Sequence, residues 1–255
     1  MAFLKQERVP DEDRLPSRAP IAPLIALFAR APDIPDALGN FRTILKSYLW
    51  RSFYTDRYEK AAANAALQDY RALSKTVVGD ESILPPIFES PLPDGNELLA
   101  TGWPKKKDRL ARAVLLLSMQ SGALDIADGS ELIPANVSRR EYHHLFPVAY
   151  LRDNLGIEGD EANTALNCAL ITWRTNRTIG AQEPVQYLKE RTEASSLGED
   201  EIKRRLASHT VSFEALSEGK YDEFRLARAE VFESAIRKLS SGEHWEPPGW
   251  IPTLE

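Results

Sequence analysis

Two of the four histidines of this chain stand side by side in Glu141-Tyr142-His143-His144-Leu145-Phe146-Pro147, and Thr175-Asn176-Arg177-Thr178-Ile179-Gly180 follows further along. One imidazole can take a proton from water while its neighbour helps to hold a divalent cation, and the Asn176 amide oxygen is of the type that completes such a site. Arg177, beside it, offers a planar donor fork suited to phosphate. Phosphodiester hydrolysis needs these parts: an in-line water, a base for its proton, and a cation to neutralise charge growing on the phosphorane and the leaving oxygen.

Each residue also has an ordinary structural use. In a regular strand His143 and His144 point to opposite faces, so both serve one site only where the strand gives way to a loop; Pro147 supplies such a break. The alternative is one histidine buried and hydrogen-bonded and the other solvated. For Asn176 the alternative is a helix cap, the commoner use of an asparagine after a strand. Glu141 is either an outer partner of a histidine or an exposed edge carboxylate.

The elements that must position this chemistry follow from periodicity and punctuation. Residues 1–20 are charged and interrupted by Pro10, Pro16 and Pro20, which predicts an extended lead-in or linker. A helical domain over 21–138 comes next. Leu24, Leu27 and Phe28 share a face, Leu38, Phe41, Ile44, Leu45, Tyr48 and Leu49 recur at three-to-four spacing, and an Ala-rich stretch runs from Tyr58 to Leu73. Prolines 85, 86, 91 and 93 predict an irregular segment, whereas Val114-Leu115-Leu116-Leu117 centres a buried helix over Arg109 to Met119.

Around Arg139 the texture changes. Tyr142 to Phe146 is short, aromatic-rich and closed by Pro147, as a strand would be, and Cys168 to Trp173 is a second apolar segment that can return antiparallel to it. A polar loop, Arg152 to Thr164, lies between them, and a helix-forming stretch starts at Thr175. The module over 139–195 therefore reads strand, loop, strand, helix. Residues 196–255 add an amphipathic helix marked by Phe224, Ala227, Val231 and Ala235, then a proline-rich tail from Trp245 to Pro252.

Composition bounds the function. A chain of 255 residues with 43% hydrophobic content can bury one large core or two domains. No apolar run reaches the roughly 18 residues of a membrane helix, and Met1-Ala2-Phe3-Leu4-Lys5 has no signal-peptide character, so a cytoplasmic protein with no membrane partner is expected. Cys168 is the only cysteine, which excludes a disulfide framework and a Cys-rich zinc ribbon and leaves N and O atoms to hold any metal. The net charge of −6 gives little general attraction to nucleic acid, yet basic residues gather at Lys105-Lys106-Lys107, Arg109, Arg112, Arg139-Arg140, Arg174 and Arg177, several of them bracketing the histidines. The alternative for Lys105 to Lys107 is a solvated face.

Four blocks in chain order carry a resemblance: His143-His144-Leu145-Phe146-Pro147, Asn167-Cys168-Ala169-Leu170, Thr175-Asn176-Arg177-Thr178-Ile179-Gly180 and Pro184-Val185-Gln186-Tyr187-Leu188. Together they resemble the HNH, or ββα-metal, endonucleases, in particular the C-terminal nuclease domain of GmrSD-type modification-dependent restriction enzymes. The preceding helices, with Tyr48-Leu49-Trp50-Arg51-Ser52-Phe53 and Arg57-Tyr58, resemble the helical region ahead of that domain.

The resemblance implies His144 as general base, His143 and Asn176 as metal ligands, Asn167 as a structural support tying hairpin to loop, and Arg177 as a phosphate contact. Gly180 stands where colicin-type relatives have a further histidine, so two protein ligands remain, which suits Mg²⁺ or Mn²⁺ with water and substrate better than a closed Zn²⁺ site. GmrSD-type proteins also carry a ParB-like domain with an Asp-Gly-Gln-Gln-Arg motif; the closest string here, Asp128-Gly129-Ser130, reads as a turn, and no P-loop is present.

The expectation is a mostly α (α+β) protein, a helical scaffold carrying a small ββα-metal module, that cleaves DNA in bacterial defence and works with a ParB-like NTPase or specificity domain or subunit. Two alternatives stand beside it: an inactive HNH-like adaptor that binds nucleic acid or protein, and an RNase or toxin on the same scaffold.

Overall fold

Every third or fourth residue of α3 (Pro35–Tyr54) is apolar and buried, from Phe41 through Leu45, Tyr48 and Leu49 to Phe53, and this stripe organises the molecule. The helix starts cleanly because Pro35 occupies its first turn, where a missing N–H costs nothing. In the computed structural model the described residues are 2–9, 13–80, 82–105, 108–120, 122–126, 128–133, 136–137, 140–172, 190, 193 and 198–247. Before α3 lie α1 (Ala2–Gln6) and α2 (Ile21–Phe28). After it come α4 (Ala62–Thr76), the short α5 (Pro86–Glu89) and α6 (Gly95–Leu99), and α7 (Arg109–Met119).

The protein is mostly α with one small antiparallel sheet among the described residues. Strand β1 (Arg140–His144) pairs with β2 (Cys168–Thr172) in a register that sets His144 opposite Cys168, His143 opposite Ala169 and Tyr142 opposite Leu170. Short helical turns, α8 (Val148–Tyr150) and α9 (Gly159–Ala162), punctuate the connection between them. Helices α10 (Gly198–Ala207), α11 (Phe213–Ser217) and the long α12 (Tyr221–Ser240) follow.

Strand alternation gives the hairpin two different faces. Cys168 and Leu170 pack with Leu115 and Met119 of α7, with Tyr142 and Trp103 at the margin. Ala169 and Ile171 pack on the other side with Ile202, Leu206, Tyr221 and Phe224 of α10 and α12. Farther along, α12 sends Phe232, Ala235, Ile236 and Leu239 into the same core as the α3 stripe. A single helix, α12, thus joins the hairpin's core to the scaffold's. At its end Gly242 sits at φ +83°, and a Cβ there would lie 2.6 Å from the Thr43 carbonyl oxygen, so glycine alone permits this approach of α12 to α3.

Residues 2–9 and 13–20 differ from the extended lead-in that the prolines of residues 1–20 predict. Phe3 packs its ring on Phe28, Val9 and Leu15 are buried in the main core, and Glu7 accepts a 2.8 Å hydrogen bond from the Trp50 indole. Gln120 donates to the Glu7 carbonyl, and Arg112 donates to those of Asp13 and Leu15. The prolines stop a long helix but leave enough apolar side chains for docking, and burial prevails over punctuation.

Arg228 fastens the hairpin to α12. Its guanidinium is almost fully buried and donates to the Leu166 carbonyl, to Cys168 O at 3.2 Å and to His209 O at 2.8 Å, with the Phe232 ring 5.1 Å away. Burial lowers its pKa to about 10, so it stays charged at neutral pH. Replacing Arg228 by Met should leave the Leu166 and Cys168 carbonyls without donors, His209 O keeping only the Thr210 hydroxyl, and destabilise the fold by on the order of 3 kcal/mol, because an unsatisfied buried acceptor costs about 1–3 kcal/mol. The exposed Arg237, paired with Glu233, is the control, and its replacement by Met should change stability by less than about 1 kcal/mol. Urea unfolding of the two variants compares them, and equal losses would refute the clamp.

Candidate active site

The turn after β1 is held by an amide that imitates a strand. Asn167, fully buried, accepts from the Phe146 N–H through Oδ1 at 2.7 Å and donates through Nδ2 to Phe146 O and to Ala162 O, both at 3.0 Å. Its own carbonyl accepts from the Leu145 N–H at 2.9 Å. The chain leaving His144 is thereby pinned for two residues beyond the ladder, and Phe146 is driven into an aromatic nest with Tyr221 and Phe224, at ring distances of 5.2 and 5.1 Å.

His144 is the last residue of β1 and lies on the α7 face of the hairpin. Its ring stacks on Trp103, with centroids 3.9 Å apart and planes 13° from parallel. Its Nε2 lies 3.0 Å from Asn163 Oδ1. Asn163 is oriented by its own amide nitrogen, which donates to Gly159 O at 2.6 Å and so turns the acceptor oxygen toward the imidazole. A carbonyl oxygen cannot donate, so Nε2 carries the proton in the neutral ring and Nδ1 carries the lone pair. Burial pushes the His144 pKa below its ordinary 6.5, and the Asn163 hydrogen bond opposes part of that shift.

The structure brings together His144, Asn163 and Trp103, with Asn167 bracing the turn beside them. It does not bring His143 to the same face: His143 is buried opposite Ala169, on the side facing α10 and α12. Asn176, Arg177 and Arg174 lie outside the described residues, as do Arg139, Lys106, Lys107 and the Pro184 to Leu188 block. Glu141 and Lys105 are exposed.

Two of the basic residues expected to bracket the site are engaged elsewhere. Arg109 binds Glu59 and donates to Phe53 O at 2.7 Å, and Arg112 is tied to the lead-in. Both fasten α7 to its surroundings. A cavity of about 1020 Å³ lies between α10, α11 and α12 and is lined by Arg204, Phe213, Phe224 and Val231, away from His144.

Sequence reasoning missed Trp103 and Asn163. Asn163 sits in the segment read as a polar loop, where nothing but its place shortly before Asn167 marks it. Trp103 belongs to a Gly-Trp-Pro stretch with no helical or strand period, remote in sequence from the hairpin.

No protein-family model matches the chain, nor does any solved structure. An uncharacterized protein of Methanocaldococcus jannaschii is 24% identical over 237 residues, covering 88% of this chain and 38% of that protein. The chain thus spans well under half the length of that relative.

With its pKa lowered, His144 resists protonation on acidification. The linked stability is present above the unfolded-state value of 6.5 and is lost as pH falls through the folded-state value. An NMR titration of the metal-free protein should place the His144 midpoint below 6.5, and Asn163→Leu should lower it further by removing the favourable acceptor. A midpoint at or above 6.5 in the parent protein would show that burial does not govern this ring.

Proposed function

We propose that this chain is an HNH-type endonuclease unit that hydrolyses DNA phosphodiesters, the nuclease part of a bacterial restriction or anti-phage system. The observation that carries this reading is His144 at the end of a hairpin whose turn is braced by a buried asparagine, its proton held on Nε2 by Asn163 and its Nδ1 left as the basic nitrogen. That nitrogen makes no hydrogen bond among the described residues and is the atom that would accept the proton of an attacking water.

By the resemblance His143 and Asn176 would hold the metal, although the register buries His143 on the face of β1 opposite His144, so its part in that site requires the end of the strand to rearrange. Their chemistry fits Mg²⁺ or Mn²⁺: one imidazole nitrogen and one amide oxygen are neutral donors, so water and substrate phosphate complete the shell. Among the described residues no group of three or more His, Cys, Asp or Glu side chains could hold a metal ion, and the thiol of Cys168 is buried with its pKa pushed far up, which fits no thiolate site. A bound divalent ion would supply charge stabilisation at the phosphorane and the leaving oxygen. Arg177 would contact the phosphate, and a ParB-like domain or subunit would supply specificity and nucleotide use.

One observation favours the alternative of an inactive HNH-like adaptor, namely that the strand register sends His143 and His144 to opposite faces. Activity separates the readings. Purified protein should nick or cleave plasmid DNA only with Mg²⁺ or Mn²⁺, and His144→Ala should lose about 10²- to 10⁴-fold in rate, the usual loss on removing a general base. Near-parental activity in a folded His144→Ala variant would sink the assignment, and a parent chain inert with every divalent ion would point to the adaptor.

The division of labour has its own test. His143→Ala and Asn176→Ala should recover part of their activity as Mn²⁺ is raised, because a lost ligand weakens metal affinity, whereas His144→Ala should not. Identical Mn²⁺ responses in the three variants would refute separate roles.

A further inference from the structure

We propose that Trp103 and Asn163 form a two-armed clamp on the His144 imidazole, one arm fixing the plane of the ring and the other its tautomer, so that the helical scaffold supplies a positioning residue to the active site. The inference rests on the reading of His144 as the general base and deepens it. A strand fixes the Cα of its last residue but leaves the side-chain torsions free. Something outside the hairpin must therefore aim an imidazole placed there. Trp103 covers one face of the ring at 3.9 Å, a separation at which the imidazole cannot tilt without losing contact with the indole. Asn163 meets one edge at Nε2, so a half-turn of the ring would exchange a nitrogen for a carbon at the acceptor and lose the hydrogen bond.

The arms are built as a unit. Asp108 caps α7 through Oδ1, which accepts from the Ala111 N–H at 2.9 Å, while its Oδ2 accepts from the Gly102 N–H at 3.2 Å and so holds the residue next to Trp103. A Cβ at Gly102 would lie 3.0 Å from that same oxygen, which leaves little room for any other residue. On the far side, Thr164 directly follows Asn163. The buried hydroxyls of Thr101 and Thr164 lie 3.3 Å apart, joining the strip that carries Trp103 to the loop that carries Asn163. Thr101 is further tied to Leu98 O at 2.7 Å, at the end of α6. The distance between the arms is thus set by contacts that do not involve the histidine.

The test uses the full chain with isotope-labelled histidine and two readouts. In mildly alkaline buffer, heteronuclear NMR of the parent protein should show His144 as a single Nε2–H tautomer, with ring protons moved upfield by the Trp103 ring current. Trp103→Ala should abolish the upfield shift and lower kcat for Mg²⁺-dependent plasmid cleavage by about 10- to 100-fold with little change in KM, the loss expected when a reacting group is misplaced by about 1 Å. Trp103→Phe should restore most of kcat and part of the shift. Asn163→Leu should mix the tautomers with a similar fall in kcat, whereas Asn163→Asp, which still accepts at Nε2, should keep the tautomer.

Parental kcat and parental His144 signals in a Trp103→Ala protein that unfolds at the parental midpoint would overturn the clamp. Should Trp103→Ala fail to fold, the Phe and Asn163 variants decide by the same two readouts. A parent chain that does not cleave DNA would defeat the nuclease reading, while the tautomer and ring-current signals would still show whether the ring is clamped.

Discussion

A buried guanidinium whose hydrogen bonds all go to backbone carbonyls holds the two parts of this protein together. Arg228 has no carboxylate partner among the described residues; it donates to carbonyls at the end of the β1–β2 connection, at the first residue of β2 and at His209 beyond α10. Burial strips the cation of water and so lowers its pKa, the carbonyls compensate it only in part, and its Nε is left without a partner. The arrangement persists because the alternative is worse. Two five-residue strands do not make a sheet stable by itself in water, so the hairpin must take its stability from α7 on one face and from α10 and α12 on the other.

That constraint shapes the site. With both faces of the hairpin packed against helices, side chains reach out toward the ends of the ladder, exposed Glu141 near one and half-buried His144 at the other. The next residues would fray, but Asn167 pairs with Phe146 as another strand would and carries the order into the turn. His143, one residue earlier, is bound by strand alternation to the opposite, buried face. The same geometry that makes His144 accessible thus makes His143 a core residue, and the two imidazoles meet different electrostatic surroundings although they are neighbours in the chain.

Much of the scaffold was legible because helices with one apolar face leave a three-to-four spacing in the sequence. The stripes at Leu24 to Phe28, Phe41 to Phe53 and Val114 to Leu117 lie in α2, α3 and α7, and the aromatic run before Pro147 is β1, ending two residues earlier than the prolyl break suggested. Legibility failed where structure depends on contacts distant in sequence. The prolines of residues 1–20 advertised an extended segment, while the burial of Val9 and Leu15 and the Glu7–Trp50 bond depend on surfaces supplied by α3 and α7. The basic cluster at α7 reads as a phosphate surface only while the destinations of Arg109 and Arg112 are unknown. Trp103 left no signal, since a single aromatic in a Gly-Trp-Pro turn has no period to betray what it will touch.

The engaged arginines also bear on how a substrate would approach under the proposed nuclease reading. If the chain cleaves DNA as proposed, a net charge of −6 and an α7 whose Arg109 and Arg112 are tied to Glu59 and to carbonyls give little diffuse attraction, because neutralising phosphates draws on clustered cations. On that reading attraction would be local, at a few donors near the hairpin mouth, or be supplied by another domain or subunit. A base held by packing and by an uncharged amide suits this arrangement. Neither the Trp103 stack nor the Asn163 acceptor would add negative charge beside an incoming phosphate, whereas a carboxylate in the place of Asn163, though it too would accept from Nε2, would lose the bond to Gly159 O and repel that phosphate.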